Sequence, residues 1–322
     1  MRWTGKKVGL ALGGGGVRGL AHIGVIQVLE KEGVEIDLIA GTSAGALIGG
    51  AYATGMTTRE ITAKVDAYLK SSEFEESAIK SMGLSFSTGP KSFFQKAQTF
   101  ARNQYYLVKA LFSSSILPAE DFQSLINYLL PDVDIRATRI PFYAVSTDLI
   151  TGKQVVLSEG SLRQAVLASA SVPGAVEPTR LGEWLLADGG VTSLVPVHAA
   201  REAGADIVIA VVVDRDLPQE TDIETAKDVL YRAGEITANA LETAELQNAD
   251  VVIRPAVGDL HWADFSRSHT LIRIGEEAAR ESLEKIHASL PLPRRFARFA
   301  RHLLDRAQNR GPRHIGSGPA PL

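Results

Sequence analysis

Short apolar runs rich in β-branched residues alternate along this chain with stretches in which apolar side chains recur every three or four positions. The runs Val8–Leu12, Asp37–Ala40, Ile140–Val145, Gln154–Leu157, Trp184–Ala187, Ile207–Val213 and Val251–Ile253 predict strands. The periodic stretches Arg18–Lys31, Ala44–Ala53, Arg59–Leu69, Ala119–Leu130, Leu162–Ala168, Val197–Glu202, Ala226–Leu246 and Leu271–Ala288 predict helices. Strands that alternate with helices form βαβ units, and strands that are apolar almost throughout are buried on both faces. The expectation is a three-layer α/β/α sandwich with a mostly parallel central sheet, spanning residues 1–290 as one domain.

Two stretches break the alternation. Residues 71–115 are polar and rich in Ser and Lys, yet hold Phe74, Phe86, Phe93, Phe94, Phe100, Tyr105, Tyr106 and Phe112. That density of aromatic side chains reads either as an insertion packing its own small cluster or as a lid over an apolar substrate. Residues 291–322 form a basic tail. Wound as a helix, 294–306 gathers Phe296, Phe299, Ala300, Leu303 and Leu304 on one side and Arg294, Arg295, Arg298, Arg301, His302 and Arg306 on the other. Such a helix suits either peripheral contact with an anionic membrane or docking on an acidic body.

Charge sharpens that contrast. The 322 residues carry a formal net charge of −3, with 34 basic and 37 acidic side chains. The tail holds seven Arg and one Asp, so the rest of the chain is strongly acidic. A generally basic nucleic-acid binder is excluded. The 22% charged and 45% hydrophobic content is that of a globular chain. With no cysteine, disulfides, thiolate nucleophiles and Cys-ligated metals are excluded. No apolar run approaches the ~20 residues of a membrane helix. No signal-peptide pattern opens the chain. The expected setting is the cytoplasm, with peripheral contact at the inner membrane surface as an option.

Two glycine motifs carry the candidate chemistry. The first, Gly13-Gly14-Gly15-Gly16-Val17-Arg18-Gly19, lies between a predicted strand and a predicted helix. Glycines let a backbone turn tightly, and free N–H groups at a helix start attract negative charge. It is not a P-loop, since no Gly-Lys-Ser/Thr follows. Gly14, Gly16 and Gly19 do satisfy a dinucleotide fingerprint, with Glu35 or Asp37 where a ribose-binding acid is sought. The second, Gly41-Thr42-Ser43-Ala44-Gly45, also joins a strand to a helix, as a nucleophile elbow does. Small residues two positions either side of the serine let strand and helix crowd together. If the first two strands are neighbours, both motifs emerge at one sheet edge, and amides of the first loop face charge developing at Ser43 as an oxyanion hole. Arg18 either adds charge there or braces the loop.

Ser43 requires a base. His22, His198, His261 and His269 sit in no loop signature. Asp188, in Trp184-Leu-Leu-Ala-Asp188-Gly189-Gly190, ends a predicted strand before two glycines, which also reads as a turn.

Taken together, Gly13–Gly19, Gly41–Gly45, Ser146-Thr-Asp148, Ala168-Ser-Ala-Ser-Val-Pro173 and Asp188–Gly190 resemble the patatin-like phospholipases, in the bacterial branch similar to neuropathy target esterase. The resemblance covers roughly residues 6–215. It implies a Ser–Asp dyad without histidine: Ser43 as nucleophile, Asp188 as general base and acid. It also implies an oxyanion hole from Gly13, Gly14, Gly15, Gly16, Arg18 and Gly19, with Gly41, Gly45, Gly189 and Gly190 as elbow and support. The implied activity is hydrolysis of phospholipid or lysophospholipid acyl esters through an acyl-enzyme, with no cofactor and no metal. Asp148 and Ser169–Pro173 are expected to shape the site. Transfer of the acyl group to another acceptor is the first alternative, and a nucleotide-binding or regulatory module with vestigial motifs is the second.

Overall fold

The computed structural model describes residues 6–77, 80, 119–214, 217, 219, 221–258 and 264–290. Most of the aromatic-rich segment 71–115, His261 and the tail 291–322, with its basic stretch 294–306, lie outside the described residues.

Val8–Leu12 (β1) is buried along its whole length. Its side chains alternate between two cores, Leu10 and Leu12 on the larger and Ala11 on the smaller. The larger core takes Ala21–Lys31 (α1), Ala44–Ala53 (α2) and Thr58–Tyr68 (α3), the last closed by a Thr57/Glu60 capping box. The short helix Ser72–Glu76 (α4) follows, and Ala119–Leu129 (α5) packs on the same side. Leu38–Thr42 (β2) lies parallel to β1, with Leu12 opposite Gly41, so both glycine motifs leave the sheet at the same end.

Phe142–Asp148 (β3) is longer than its neighbours, and the reason is its pairing. Gln154–Leu157 (β4) runs antiparallel along one of its edges, from Ala144 to Thr147. The opposite edge is shared. β2 pairs parallel with its first half, ending at Thr42 opposite Val145. Trp184–Asp188 (β6) pairs antiparallel with its second half, ending at Asp188 opposite Ser146. The C-terminal ends of β2 and β6 therefore meet head-on. Between β4 and β6 come Leu162–Ser169 (α6) and Thr179–Leu181 (β5), a strand with little apolar signal that forms a hairpin with β6.

On the far side of β1 lie Ile207–Val211 (β7) and Val251–Ile253 (β8), both parallel. Val197–Glu202 (α7) covers the smaller core. Ala226–Leu246 (α8) connects β7 to β8. Ser268–Glu281 (α9) and Leu283–Ser289 (α10) complete the larger core's cover.

The α/β/α expectation holds, with corrections. The five-strand body β3-β2-β1-β7-β8 is parallel, but β4, β5 and β6 are antiparallel. The predicted helix 18–31 opens as a 3₁₀ segment, Gly16–Leu20, whose first residue, Gly16, holds φ +59°. The predicted helix 271–288 is two helices, broken at Ser282, whose hydroxyl donates to the Ala278 carbonyl. Phe74, from the aromatic segment, packs on the body between the rings of Tyr68 and Phe265. No helix among the described residues is long and apolar enough to cross a membrane.

Candidate active site

Ser43 sits where β2 turns into α2, with φ 55° and ψ −119°. It is the one non-glycine residue with positive φ among those described, a strain of roughly 1–3 kcal/mol. The flanking glycines make this turn sterically possible. A Cβ at Gly45 would fall 2.1 Å from the Leu12 carbonyl oxygen, and one at Gly41 would fall 2.6 Å from the Gly45 carbonyl oxygen. The Ser43 amide donates to Ser169 Oγ at 3.0 Å, and Ser169 Oγ–H donates to the Val145 carbonyl at 2.6 Å. The Thr42 hydroxyl donates to the Ser193 carbonyl at 2.9 Å.

Asp188 ends β6. Its amide donates to the Ser171 carbonyl at 2.8 Å, and its Oδ1 accepts the Gly190 amide at 2.7 Å. Its Oδ2 is buried and receives no hydrogen bond of ordinary geometry, though the Ser43 hydroxyl lies close enough to favour the ionised form. Burial pushes the carboxyl up to about 6, against the opposing pull of the Ser43 hydroxyl and the Gly190 amide. A buried carboxyl that is basic near neutrality, next to a serine hydroxyl, has the chemistry of a proton acceptor. The stretch 168–173 thus anchors both residues, through Ser169 and Ser171.

The glycine loop divides by function. The Gly13 amide donates to the Val211 carbonyl and the Gly14 amide to the Leu194 carbonyl, so both serve the scaffold. The amides of Gly15 and Gly16 have no such partner among the described residues. Arg18 is a brace: its Nε donates to the Gly15 carbonyl, and its guanidinium pairs with Asp214 at 2.6 Å. Gly19 lies inside the 3₁₀ segment, against Ala44.

A cavity of about 380 Å³ opens over Ser43, Asp188 and Gly14–Leu20. Its other walls are largely apolar, with Leu47, Ile48, Leu125, Leu129, Val172 and Phe265 among them.

No described histidine lines that cavity. His22 is buried, with Nε2 at 2.8 Å from the Gly13 carbonyl, and burial lowers its pKa to about 4. It is therefore a neutral strut under the loop, Nε2–H donating. His198 pairs with Glu202 and His269 with Asp66, both at the surface. Asp37 accepts the Val8 amide at the start of β1, the end of the strand away from the glycine loop, so it is not placed as a ribose-binding acid. Asp148 organises the β3–β4 turn, accepting from the Thr151 hydroxyl and the Ile150 and Leu185 amides, which hold its carboxyl below the usual range. Sequence reasoning missed Ser193, Asp214 and Glu245. Asp214 follows β7 at the same sheet edge as both motifs, a signal that was readable; Ser193 and Glu245 carry none.

The family model for patatin-like phospholipases matches residues 10–201. An uncharacterised NTE family protein of Mycobacterium tuberculosis is 29% identical over 307 residues, covering 88% of this chain and 47% of its own length. The lysophospholipase NTE1 of Pyricularia oryzae is 27% identical over 317 residues, covering 91% of this chain and 19% of its own. The chain thus spans about half the length of the first of these relatives and a fifth of the second. Among solved structures, VipD of Legionella pneumophila superposes with a TM-score of 0.47 at 16% identity, over 87% of this chain and 67% of that one. The matched residues contain the glycine loop, the serine elbow and the strand that ends in Asp188, and on that match the chain belongs to the patatin-like phospholipase family.

Proposed function

We propose that this chain is a serine acyl-ester hydrolase of the phospholipase A or lysophospholipase type, working through a Ser43–Asp188 dyad. The observation that carries the reading is the head-on meeting of β2 and β6. It brings a strained serine and a buried carboxyl basic near neutrality to one wall of an apolar cavity. The family match and the lysophospholipase among the relatives support the substrate class.

Ser43 Oγ attacks the acyl carbonyl carbon while its proton passes to Asp188. The tetrahedral oxyanion is met by the amides of Gly15 and Gly16, which meet no backbone carbonyl among the described residues, and each such donor typically contributes ~2.7–4 kcal/mol. Collapse breaks the ester bond, and protonated Asp188 gives its proton to the leaving alcohol. Water then adds to the acyl-serine with Asp188 again as base, and on collapse protonated Asp188 returns its proton to Ser43 Oγ as the fatty acid leaves. Gly13 and Gly14 serve by holding the loop, and Arg18 by fixing the Gly15 carbonyl so that the next amides keep their direction. The apolar walls take the acyl chain.

The test is fatty-acid release from lysophosphatidylcholine and hydrolysis of a short-chain nitrophenyl ester, in wild type, Ser43→Ala and Asp188→Asn. Both substitutions are expected to lower kcat by about 10³-fold or more while the proteins stay folded. Turnover surviving in either folded variant would overturn the dyad.

A further inference from the structure

The segment after Asp188 touches the turn that carries the base, the strand that carries the nucleophile and the glycine loop. The Ser193 amide donates to the Gly189 carbonyl at 2.7 Å, which closes the turn that carries Asp188. The Ser193 carbonyl accepts the Thr42 hydroxyl next to the nucleophile. The Leu194 carbonyl accepts the Gly14 amide, and a Cβ at Gly13 would meet Val195 at 3.0 Å. Residues 193–195 therefore bracket the base, the nucleophile and the glycine loop at once.

One side chain holds that bracket from outside. The Ser193 hydroxyl donates to Glu245 Oε1, on the last turn of α8. The helix is inverted for a surface helix: Val229, Leu230, Tyr231 and Ile236 are half or more exposed, while Glu235, Glu242 and Glu245 turn inward. Glu235 pairs with Arg232 and Glu242 with Arg254. Glu245 is met instead by the Ser193 hydroxyl; burial pushes its carboxyl up to about 7 despite that hydrogen bond, and its Oε2 is buried without a hydrogen-bond partner. Placing a carboxylate there without an arginine costs stability, as does its unpaired oxygen. What that placement secures is the orientation of Ser193.

We infer that Glu245 is a positioning residue of this site, acting through the Ser193 hydroxyl to hold the bracket that aligns Asp188, Ser43 and the glycine loop. The inference rests on the Ser43–Asp188 reading. Losing the clamp displaces groups that must be aligned to within about an ångström, and such displacements cost up to ~10²-fold in rate.

The experiment compares wild type, Glu245→Ala, Glu245→Gln, Ser193→Ala and the double variant Glu245→Ala/Ser193→Ala, with Ser43→Ala as the baseline. Two quantities are read: kcat and KM on the nitrophenyl ester, and the rate at which a fluorophosphonate labels Ser43, which needs no knowledge of the natural substrate. Glu245→Ala and Ser193→Ala are each expected to slow labelling and kcat by about ten- to a hundredfold with KM within about twofold. The double variant is expected to be no slower than either single one. Glu245→Gln, whose amide oxygen still accepts from Ser193, is expected to stay within about threefold of wild type. Melting temperatures separate unfolding from misalignment, and if Glu245→Ala does not fold, the Gln variant against Ser193→Ala carries the comparison. The inference fails if folded Ser193→Ala labels like wild type, if Gln is as slow as Ala, or if the two single effects multiply in the double variant. If Ser43→Ala is labelled and active like wild type, it is the dyad reading that fails, and the clamp with it.

Discussion

Asp188 carries the pH behaviour of this site. A free aspartate is a weak base near pH 4, yet here burial moves its pKa to about 6. The base must be ionised to accept the Ser43 proton, so kcat/KM is expected to rise with pH through an acidic limb centred near 6, a limb that titrating hydrolysis of a soluble ester would locate. The same shift acts on stability. Because the folded-state pKa lies above the unfolded value, the folded protein holds more protons between pH ~4 and ~6, and stability falls as pH rises through that window. Asp188→Asn removes the ionisation while keeping an acceptor for Gly190. It is expected to be more stable than wild type at pH 7.5, by up to about 3 kcal/mol, with the difference vanishing toward pH 4. Urea unfolding at the two pH values measures it, and a variant no more stable at pH 7.5 would refute the burial argument. The residue pattern marked Asp188 by the strand-Asp-Gly-Gly run, which is also an ordinary turn; the desolvation that turns it into a base is invisible in the chain.

At the scale of elements, two of the close approaches of backbone to backbone lock helices in place. One is the elbow, where α2 crosses the end of β1 at Gly45. The other joins α1 and α9: a Cβ at Gly24 would lie 1.9 Å from the Ile272 carbonyl oxygen, and one at Gly275 would lie 1.9 Å from that of Ala21. Neither helix can yield without moving its backbone, and α1 carries His22, the strut under Gly13. Gly275→Ala is expected to destabilise the protein by at least about 2 kcal/mol, read from the midpoint of urea unfolding. A change under about 0.5 kcal/mol would show that the helices separate freely. The elbow was legible because its small residues fall within five positions of one another. The α1–α9 contact was not, since each glycine looks alone like an ordinary weakening of its helix. The antiparallel β5–β6 hairpin escaped for a similar reason: β5 is three residues long and exposed at Arg180, so its pattern carries no period.

For the molecule as a whole, charge is the organising quantity. The tail beyond residue 290 is strongly basic and the rest of the chain strongly acidic. The stretch 294–306 has two expected roles, contact with anionic lipid and docking on the acidic body, and we propose the first as the one to test. Deleting residues 291–322 is then expected to abolish salt-sensitive co-sedimentation with anionic liposomes and to leave hydrolysis of the soluble ester unchanged. Undiminished sedimentation would remove the tail from membrane contact.

The sequence by itself determined what is local. A strand, a serine between two small residues and a helix mark an elbow, since the steric demands of that turn act over five residues. A run of four glycines between strand and helix can only be a tight loop. The alternation of apolar runs with helical periods requires a covered, largely parallel sheet. Only the tertiary structure decided which groups are left to react. Two of the loop's amides are taken by carbonyls from β7 and from the bracket, whereas those of Gly15 and Gly16 meet no such carbonyl among the described residues. A carboxyl far along the chain becomes the buried one because β6 runs backwards into the end of β2. Glu245 reaches the bracket only because α8 turns its charges inward. Hydrogen-bond saturation and desolvation depend on neighbours brought from distant parts of the chain, and no window of residues contains them.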